Sequence, residues 1–307
     1  MEVVHGLDNL PESFKCGAIA IGFFDGVHWG HRAIFNQLLE VAQASQTNAI
    51  AFTFDRHPAE LLAPEFAPPY ITTLSQRIEL INEVGVERIL IADFDPGLAG
   101  LTPSDFLGCI VVGRLAAKHI VVGSNFRFGR DREGDVRYLK AAASTFGFEL
   151  TVVPSVIIDG APVSSTRIRL MISRGDVEEA SKLLGRRFVL RGTVVPGDRV
   201  GRVLGFPTAN IQTEPRQLLP AHGVYTVQTQ IGGAVWNGLC YIGKRPTFRS
   251  QREVVEVHLM GYSGDLYGRV LDITFLRRLR GEMVFETPEK LAQQIRSDLE
   301  RAAQELR

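Results

Sequence analysis

The chain has 307 residues, 45% of them hydrophobic and 22% charged, a length that accommodates two domains and a composition ordinary for a globular protein. Lysine plus arginine equals aspartate plus glutamate at 34 each, and no basic run carries interleaved aromatics, so neither nucleic acid nor an anionic membrane is expected as partner. The dispersed Cys16, Cys109 and Cys240 suggest neither a disulfide framework nor a zinc site; without a signal-peptide pattern or an apolar run of roughly 18 residues, a cytoplasmic location is expected.

The predicted elements begin with a buried parallel strand over Ala18–Phe24, which runs into the segment Gly22-Phe23-Phe24-Asp25-Gly26-Val27-His28-Trp29-Gly30-His31. A helix follows over Gly30–Ala44, where Ile34, Phe35, Leu38, Leu39 and Ala42 recur at helical spacing. A glycine-bearing strand-to-helix corner lets the backbone approach a phosphate, and the helix start supplies N–H groups and a positive dipole end. His28 and His31 fall on one face of that first turn, either as capping or surface residues or as donors to nucleotide phosphates. A nearby polyphosphate favours the protonated form of such a ring, whose ordinary pKa is about 6.5.

Strands are then predicted at Ala49–Phe54, Ile89–Ala92, Ile120–Gly123 and Glu149–Val153. Helices are predicted at Leu74–Val84, Pro103–Leu115 with Thr102 as N-cap, Val136–Ala143 and Ile168–Arg174. This alternation gives an α/β domain with a mostly parallel sheet, and ligands in such sheets sit at the carboxyl ends of strands, where His28, His57 and Asn125 fall. Ser164, Ser165 and Thr166 stand before Arg167 and Arg169. Such hydroxyls are ordinary N-caps, and hydroxyls with a guanidinium also suit the phosphates of a leaving pyrophosphate.

After a short helix over Val177–Leu184 the pattern changes near residue 187. Short β-branched segments follow at Phe188–Val195, Val224–Ile231, Val235–Ile242, Val254–Leu259 and Val270–Phe275, with Gly232-Gly233 as a two-residue hairpin signal, so a small antiparallel barrel is predicted. A helix from Pro288 to about Leu306, capped by Thr287, closes the chain. Within Gly201–Asn210, Thr208 and Asn210 are two apart, so their oxygens share a side of an extended stretch, as in an ordinary polar loop or as oxygen ligands for magnesium. In Glu253–Leu259, strand periodicity puts Val254, Glu256 and His258 on one face, leaving Glu256 as a solvated residue or a general base.

The GxFDGxHxGH segment followed by Ser-Ser-Thr-x-x-Arg resembles the nucleotidylyltransferase superfamily. With Thr53–Pro58, Val122–Gly129 and Gly175–Gly185 it resembles the adenylyltransferase module of the bacterial bifunctional riboflavin kinase/FAD synthetase family. Arg56 stands where proline is common in that pattern, and Asn125 where aspartate is common. Gly201-Arg202-x-x-Gly205-Phe206-Pro207-Thr208-Ala209-Asn210, Gly223–Tyr225, Ile242–Phe248, Glu256–Leu259, Asp265–Gly268 and Leu279–Glu282 resemble riboflavin kinase; Pro196 stands where a basic residue is frequent.

The resemblance implies a Rossmann-like FMN adenylyltransferase domain over 1–187 and a Greek-key riboflavin kinase barrel with a C-terminal helix over 188–307. It implies that riboflavin is phosphorylated to FMN and FMN adenylylated to FAD, both with ATP and Mg2+. His28 and His31 then meet the ATP phosphates, Ser165, Thr166 and Arg169 hold the same triphosphate, Gly22, Phe24 and Gly26 shape the nucleotide corner, and Asn125 takes part in substrate binding. In the barrel the resemblance assigns Gly201, Arg202, Gly205, Pro207, Thr208 and Asn210 to the nucleotide, Thr208 and Asn210 also to Mg2+, and Glu256 to deprotonating the ribityl 5′-hydroxyl.

Overall fold

The computed structural model describes the chain apart from Cys16, 198–200, 202–203, 247–250 and 306–307, and describes 245, 246, 251, 252 and 305 by backbone alone. Contact density divides it into two compact units: Met1–Pro69 with Leu74–Ser165, and Tyr70–Thr73 with Thr166–Arg307.

In the first unit, strands β1 (Glu2–His5), β2 (Ala18–Ile21), β3 (Ala49–Phe54), β4 (Arg88–Ala92), β5 (His119–Gly123) and β6 (Glu149–Val153) form one parallel sheet in the order β1-β4-β3-β2-β5-β6. Helices α1 (Trp29–Ala44), α2 (Leu74–Glu83) and α3 (Val136–Phe146) cover it. Alternate residues of each strand enter different layers. Ala18, Ala20, Ile89 and Ile91 pack with Phe35 and Leu38 of α1 and Leu80 and Ile81 of α2. Ile19, Ile21, Phe52 and Val122 pack on the other face with Phe106, Leu107 and Leu139. Both faces of the sheet are therefore buried, which is why its strands read as unbroken apolar runs.

The chain steps one way from β2 through β3 to β4, and the other way from β5 to β6. The order reverses between neighbours β2 and β5, and at such a switch point the loops leaving two adjacent strands diverge and open a crevice. The segment Gly22–His28 follows β2, and Ser124-Asn125 follows β5.

Three expectations need correction. The first strand stops at Ile21 rather than Phe24, because Phe24, Gly26 and Val27 take positive φ and turn the chain out of the sheet. The helix expected over Pro103–Leu115 is α-helical only for Pro103–Asp105 and continues as a π-helix over Phe106–Arg114. Its Gly113 leaves no room for a Cβ beside the Gly108 carbonyl, five residues earlier. The edge strand β1, four residues long and polar at both ends, adds to the five predicted.

In the second unit, α4 (Ser165–Arg174, its first residue counted with the first unit) and α5 (Val177–Leu184) precede strands β7 (Phe188–Val195), β8 (Ala209–Thr213), β9 (Gly223–Ile231), β10 (Ala234–Pro246), β11 (Gln251–Leu259) and β12 (Val270–Arg280). These close an antiparallel barrel in the order β7-β8-β11-β10-β9-β12. Gly232 and Gly233, both at positive φ, link Ile231 to its partner Ala234 in a tight hairpin. Strand β8 begins inside the glycine- and proline-bearing segment that reads as a loop from sequence.

Helix α6 (Pro288–Glu305) is fastened to the barrel by a buried ion pair. Arg280 of β12 places Nε 2.9 Å and Nη2 2.8 Å from Asp298 Oδ2, and Gln294 Nε2 donates to Asp298 Oδ1 at 2.9 Å. Around it Val224, Leu239, Leu279 and Ala302 are buried together, with Leu299 packed against them. Removing one member of such a pair leaves an uncompensated charge at a cost of about 3–5 kcal/mol. Asp298→Ala is accordingly expected to lower the stability of the barrel unit by that amount in denaturant titration; a loss below ~1 kcal/mol would contradict the fastening role.

Cys240 on β10 is fully buried, and burial first, then the nearby Glu256 carboxylate, push its thiol far above the ordinary range. Thiolate chemistry is thereby suppressed. In the native protein at pH 8, Cys240 is expected to resist maleimide labelling while the exposed Cys109 reacts, as read by peptide mass mapping.

Candidate active sites

The corner after β2 is held by backbone and side-chain bonds. The Gly22 N–H donates to Phe52 O at 3.0 Å, and a Cβ at Gly22 would lie 2.8 Å from the Phe24 ring. The Phe23 carbonyl accepts from Thr53 Oγ1 at 3.1 Å and from Arg77 Nη1 at 2.7 Å. The Asp25 carbonyl accepts from Ser165 Oγ at 3.0 Å. Asp25 and His28 are buried, and Phe24 packs edge-on against His31.

His28 is the N-cap of α1, its Nδ1 accepting the His31 amide at 3.3 Å. The two rings stack with centroids 3.7 Å apart and planes 18° apart. The pair predicted on one face of a turn is thus brought together, by a cap and a stack rather than by i, i+3 helical spacing. His57 caps a second helix start: its Nδ1 accepts from Ala59 N at 3.1 Å, Glu60 completes the capping box, and its ring packs edge-on at 4.9 Å against Phe23. Next to it Arg56, at the position where the resembling pattern has proline, pairs with Asp55 Oδ2 at 2.8 Å. Burial pushes Asp55 up, but the Phe94 N–H and Arg56 outweigh it and hold the carboxyl below its ordinary value.

Asn125 is exposed just past β5. Thr166 and Arg169 lie on α4, whose buried face is Ile168 and Ile172. Arg77 was not singled out from sequence. A lone arginine in an amphipathic helix reads as a solvated residue, yet this one is 3% exposed, and desolvation pulls its guanidinium down to about 10 against the opposing pull of Asp25 and Asp55. The available signal was its place three residues before Leu80 and four before Ile81, on the face α2 turns to the sheet.

In the barrel unit, β11 behaves as the alternation predicts: Val255, Val257 and Leu259 are buried, and Val254, Glu256 and His258 face the other way. The two faces line different cavities. Val257 and Leu259 contribute to one of about 390 Å³ with Pro207, Thr208 and the segment Tyr262–Tyr267. Glu256 and His258 contribute to one of about 460 Å³ with Gly201, Phe206, Tyr241, Arg280, Phe285 and Ile295. Thr208 lines both, and its Oγ1 donates to Glu256 Oε2 at 3.1 Å.

Asn210 is the register partner of Glu256, and a Cβ at Gly197 would collide with its amide. The loop before β8 is closed by the Phe206 N–H on Gly201 O at 2.7 Å, and Gly205 sits at φ 87°. His258 Nδ1 donates to Pro207 O at 2.8 Å, holding that loop against β11. Arg202 lies outside the described residues. A hydroxyl, an amide oxygen and a carboxylate gathered here are the hard donors that magnesium takes, and among the described residues no group of three or more His, Cys, Asp and Glu could form an all-protein cage. The donor set therefore fits an ion that arrives with phosphates. Sequence reading passed over Tyr241, whose hydroxyl donates to Glu282 Oε1 at 2.7 Å and holds that carboxylate below its usual range.

Comparison with known proteins assigns the family. The FAD synthetase family model matches residues 11–167, and the riboflavin kinase family model matches residues 184–306. Bifunctional riboflavin kinase/FMN adenylyltransferases from Pseudomonas fluorescens and Escherichia coli K12 are 39% and 36% identical, each covering 97% of this chain and 96% of their own. The Bacillus subtilis enzyme of the same name is 31% identical over 98% of this chain and 96% of its own. A crystal structure of a Streptococcus pneumoniae protein described as a macrolide-efflux protein superposes with a TM-score of 0.89 at 30% identity, covering 99% of both chains. Efflux is said of that protein; in this chain no helix among the described residues is long and apolar enough to cross a membrane. The chain belongs to the bifunctional riboflavin kinase/FMN adenylyltransferase family, enzymes that make the flavin cofactors FMN and FAD.

Proposed function

We propose that this chain converts riboflavin to FAD in two ATP-dependent steps, with residues 188–307 as the kinase domain and 1–187 as the adenylyltransferase domain. The observation that carries the kinase assignment is strand β11, which divides a more polar cavity from a more apolar one and sets Glu256 at the partition beside Thr208. ATP takes the cavity lined by Pro207, Thr208 and Tyr262–Tyr267; the family resemblance adds Gly201, which borders the apolar cavity, together with Arg202 and Gly205. Riboflavin takes the apolar cavity, its ring against Phe285 and Ile295. Glu256 accepts the proton of the ribityl 5′-hydroxyl as that oxygen attacks the γ-phosphorus, the bond from that phosphorus to the β,γ-bridging oxygen breaks and ADP leaves; the base contributes about 10²–10⁴-fold. Thr208 and Asn210 hold Mg2+ on the nucleotide, where it neutralises phosphate charge.

In the adenylyltransferase domain an FMN phosphate oxygen attacks the α-phosphorus of a second ATP in line, and pyrophosphate leaves. The attacking group is already anionic, so no side-chain nucleophile is needed and the protein contributes position and charge neutralisation. His28 and His31, at the start of α1, meet the triphosphate at the positive end of the helix. Gly22, Phe24 and Gly26 shape the corner beneath it, Ser165, Thr166 and Arg169 hold the β- and γ-phosphates, and Asn125 contacts substrate. Support comes from the switch point between β2 and β5, which is where an open parallel sheet binds ligands. A cytoplasmic setting is part of this proposal, since both steps draw on ATP.

Incubation with riboflavin and Mg–ATP, followed by separation of the flavins, is expected to yield both FMN and FAD. His28→Ala with His31→Ala should accumulate FMN and stop there. Glu256→Ala should make nothing from riboflavin yet still convert supplied FMN to FAD. Unimpaired FAD formation by the double histidine variant would overturn the first site, and unimpaired phosphorylation by Glu256→Ala the second.

A further inference from the structure

We infer that Arg77 is a positioning residue for adenylyl transfer, holding the Phe23 carbonyl and ring so that the corner after β2 keeps the shape that receives the nucleotide phosphates; the inference rests on the assignment of that corner proposed above. Three observations converge on it.

The first is what Arg77 touches. Its Nη1 donates to Phe23 O at 2.7 Å and lies 3.5 Å from Thr53 Oγ1, and its guanidinium carbon sits 4.3 Å from the Phe23 ring centre. One side chain thus grips a single corner residue by both backbone and ring.

The second is what it lacks. Arg77 is buried, its Nε finds no hydrogen-bond partner, and it forms no ion pair with a carboxylate among the described residues. A buried cation is costly unless paired, and an apolar side chain on the same face of α2 would avoid that cost. Core packing alone therefore does not account for an arginine here.

The third is the conformation it acts on. Phe24, Gly26 and Val27 take φ of 53°, 82° and 38° within one short stretch. Positive φ is unfavourable for non-glycine residues, most of all for a β-branched valine, and such a backbone persists only where its surroundings over-determine it. Arg77 and Thr53 restrain the Phe23 carbonyl from inside the fold, just before the strained stretch.

The test compares wild type, Arg77→Met and Arg77→Lys, measuring FMN adenylylation from FMN and Mg–ATP and riboflavin phosphorylation in the same preparations. Arg77→Met is expected to lose on the order of 10²-fold in kcat/KM for adenylylation per active site, with riboflavin phosphorylation unchanged. Arg77→Lys, which keeps the charge and a donor, is expected to recover part of that loss. A wild-type kcat/KM in Arg77→Met overturns the inference. So does a loss accounted for by fewer active sites, counted by titration with FMN and ATP, with kcat and KM per site unchanged. If Arg77→Met does not fold, Arg77→Lys decides: an intermediate loss per active site supports the role and a wild-type value overturns it. The His28→Ala, His31→Ala double variant runs alongside. If it still makes FAD, the corner assignment itself fails; if it is inactive while Arg77→Met is wild type, only the role of Arg77 fails.

Discussion

Backbone amides and carbonyls that leave a regular element must find partners, and around both candidate sites polar side chains supply several of them. His28 caps α1 and His57 caps the helix after β3. Ser165 bonds the Asp25 carbonyl, Arg77 and Thr53 bond the Phe23 carbonyl, and His258 bonds the Pro207 carbonyl. The groups suited to phosphate and hydroxyl chemistry are therefore also the groups that terminate strands and start helices. Bonds to the main chain fix these side chains alongside the ring stack of His28 on His31 and the Thr208–Glu256 bond, a fixed geometry of the kind positional catalysis requires.

The two units solve the same problem by different symmetries. The parallel sheet opens a crevice where its strand order reverses, so its candidate residues come from loops after separate strands. The barrel has no such switch point. It uses the two-residue period of a single strand, β11, to address two cavities at once, and β8 to bring Thr208 and Asn210 alongside. Helix α6 then completes the apolar cavity with Leu291 and Ile295, fastened by Arg280 and Asp298.

Much of this architecture is legible in the sequence because burial on both faces leaves unbroken apolar runs. Strand β3 falls where its run predicts, and β2 starts at the predicted residue; edge strand β6 also falls at its predicted bounds, although Glu149 and Thr151 interrupt its apolar residues. The alternation of β11 likewise separates Glu256 from Val257 before any coordinates are known. Where the signal fails, the cause is specific. Strand β1 is an edge strand with polar ends, and β8 is masked by the Gly, Pro and Asn residues that surround it. The π-helical stretch at Phe106–Arg114 has the composition of an α-helix, so periodicity does not separate the two; Gly113, with no room for a Cβ beside the Gly108 carbonyl, is a residue whose type its close packing requires. Arg77 and the Arg280–Asp298 pair are invisible to periodicity, because charge alone assigns a residue to solvent and only tertiary packing reveals that it is buried.

The stacked histidines tie proton bookkeeping to helix geometry. Because His28 Nδ1 accepts the His31 amide, the neutral ring carries its proton on Nε2. Helix α1 thereby selects the tautomer of its own N-cap residue, and the fold that starts the helix also fixes which nitrogen of the neutral ring can donate. Cap and tautomer are one constraint, so the first turn of α1 and the direction in which His28 can donate are set together.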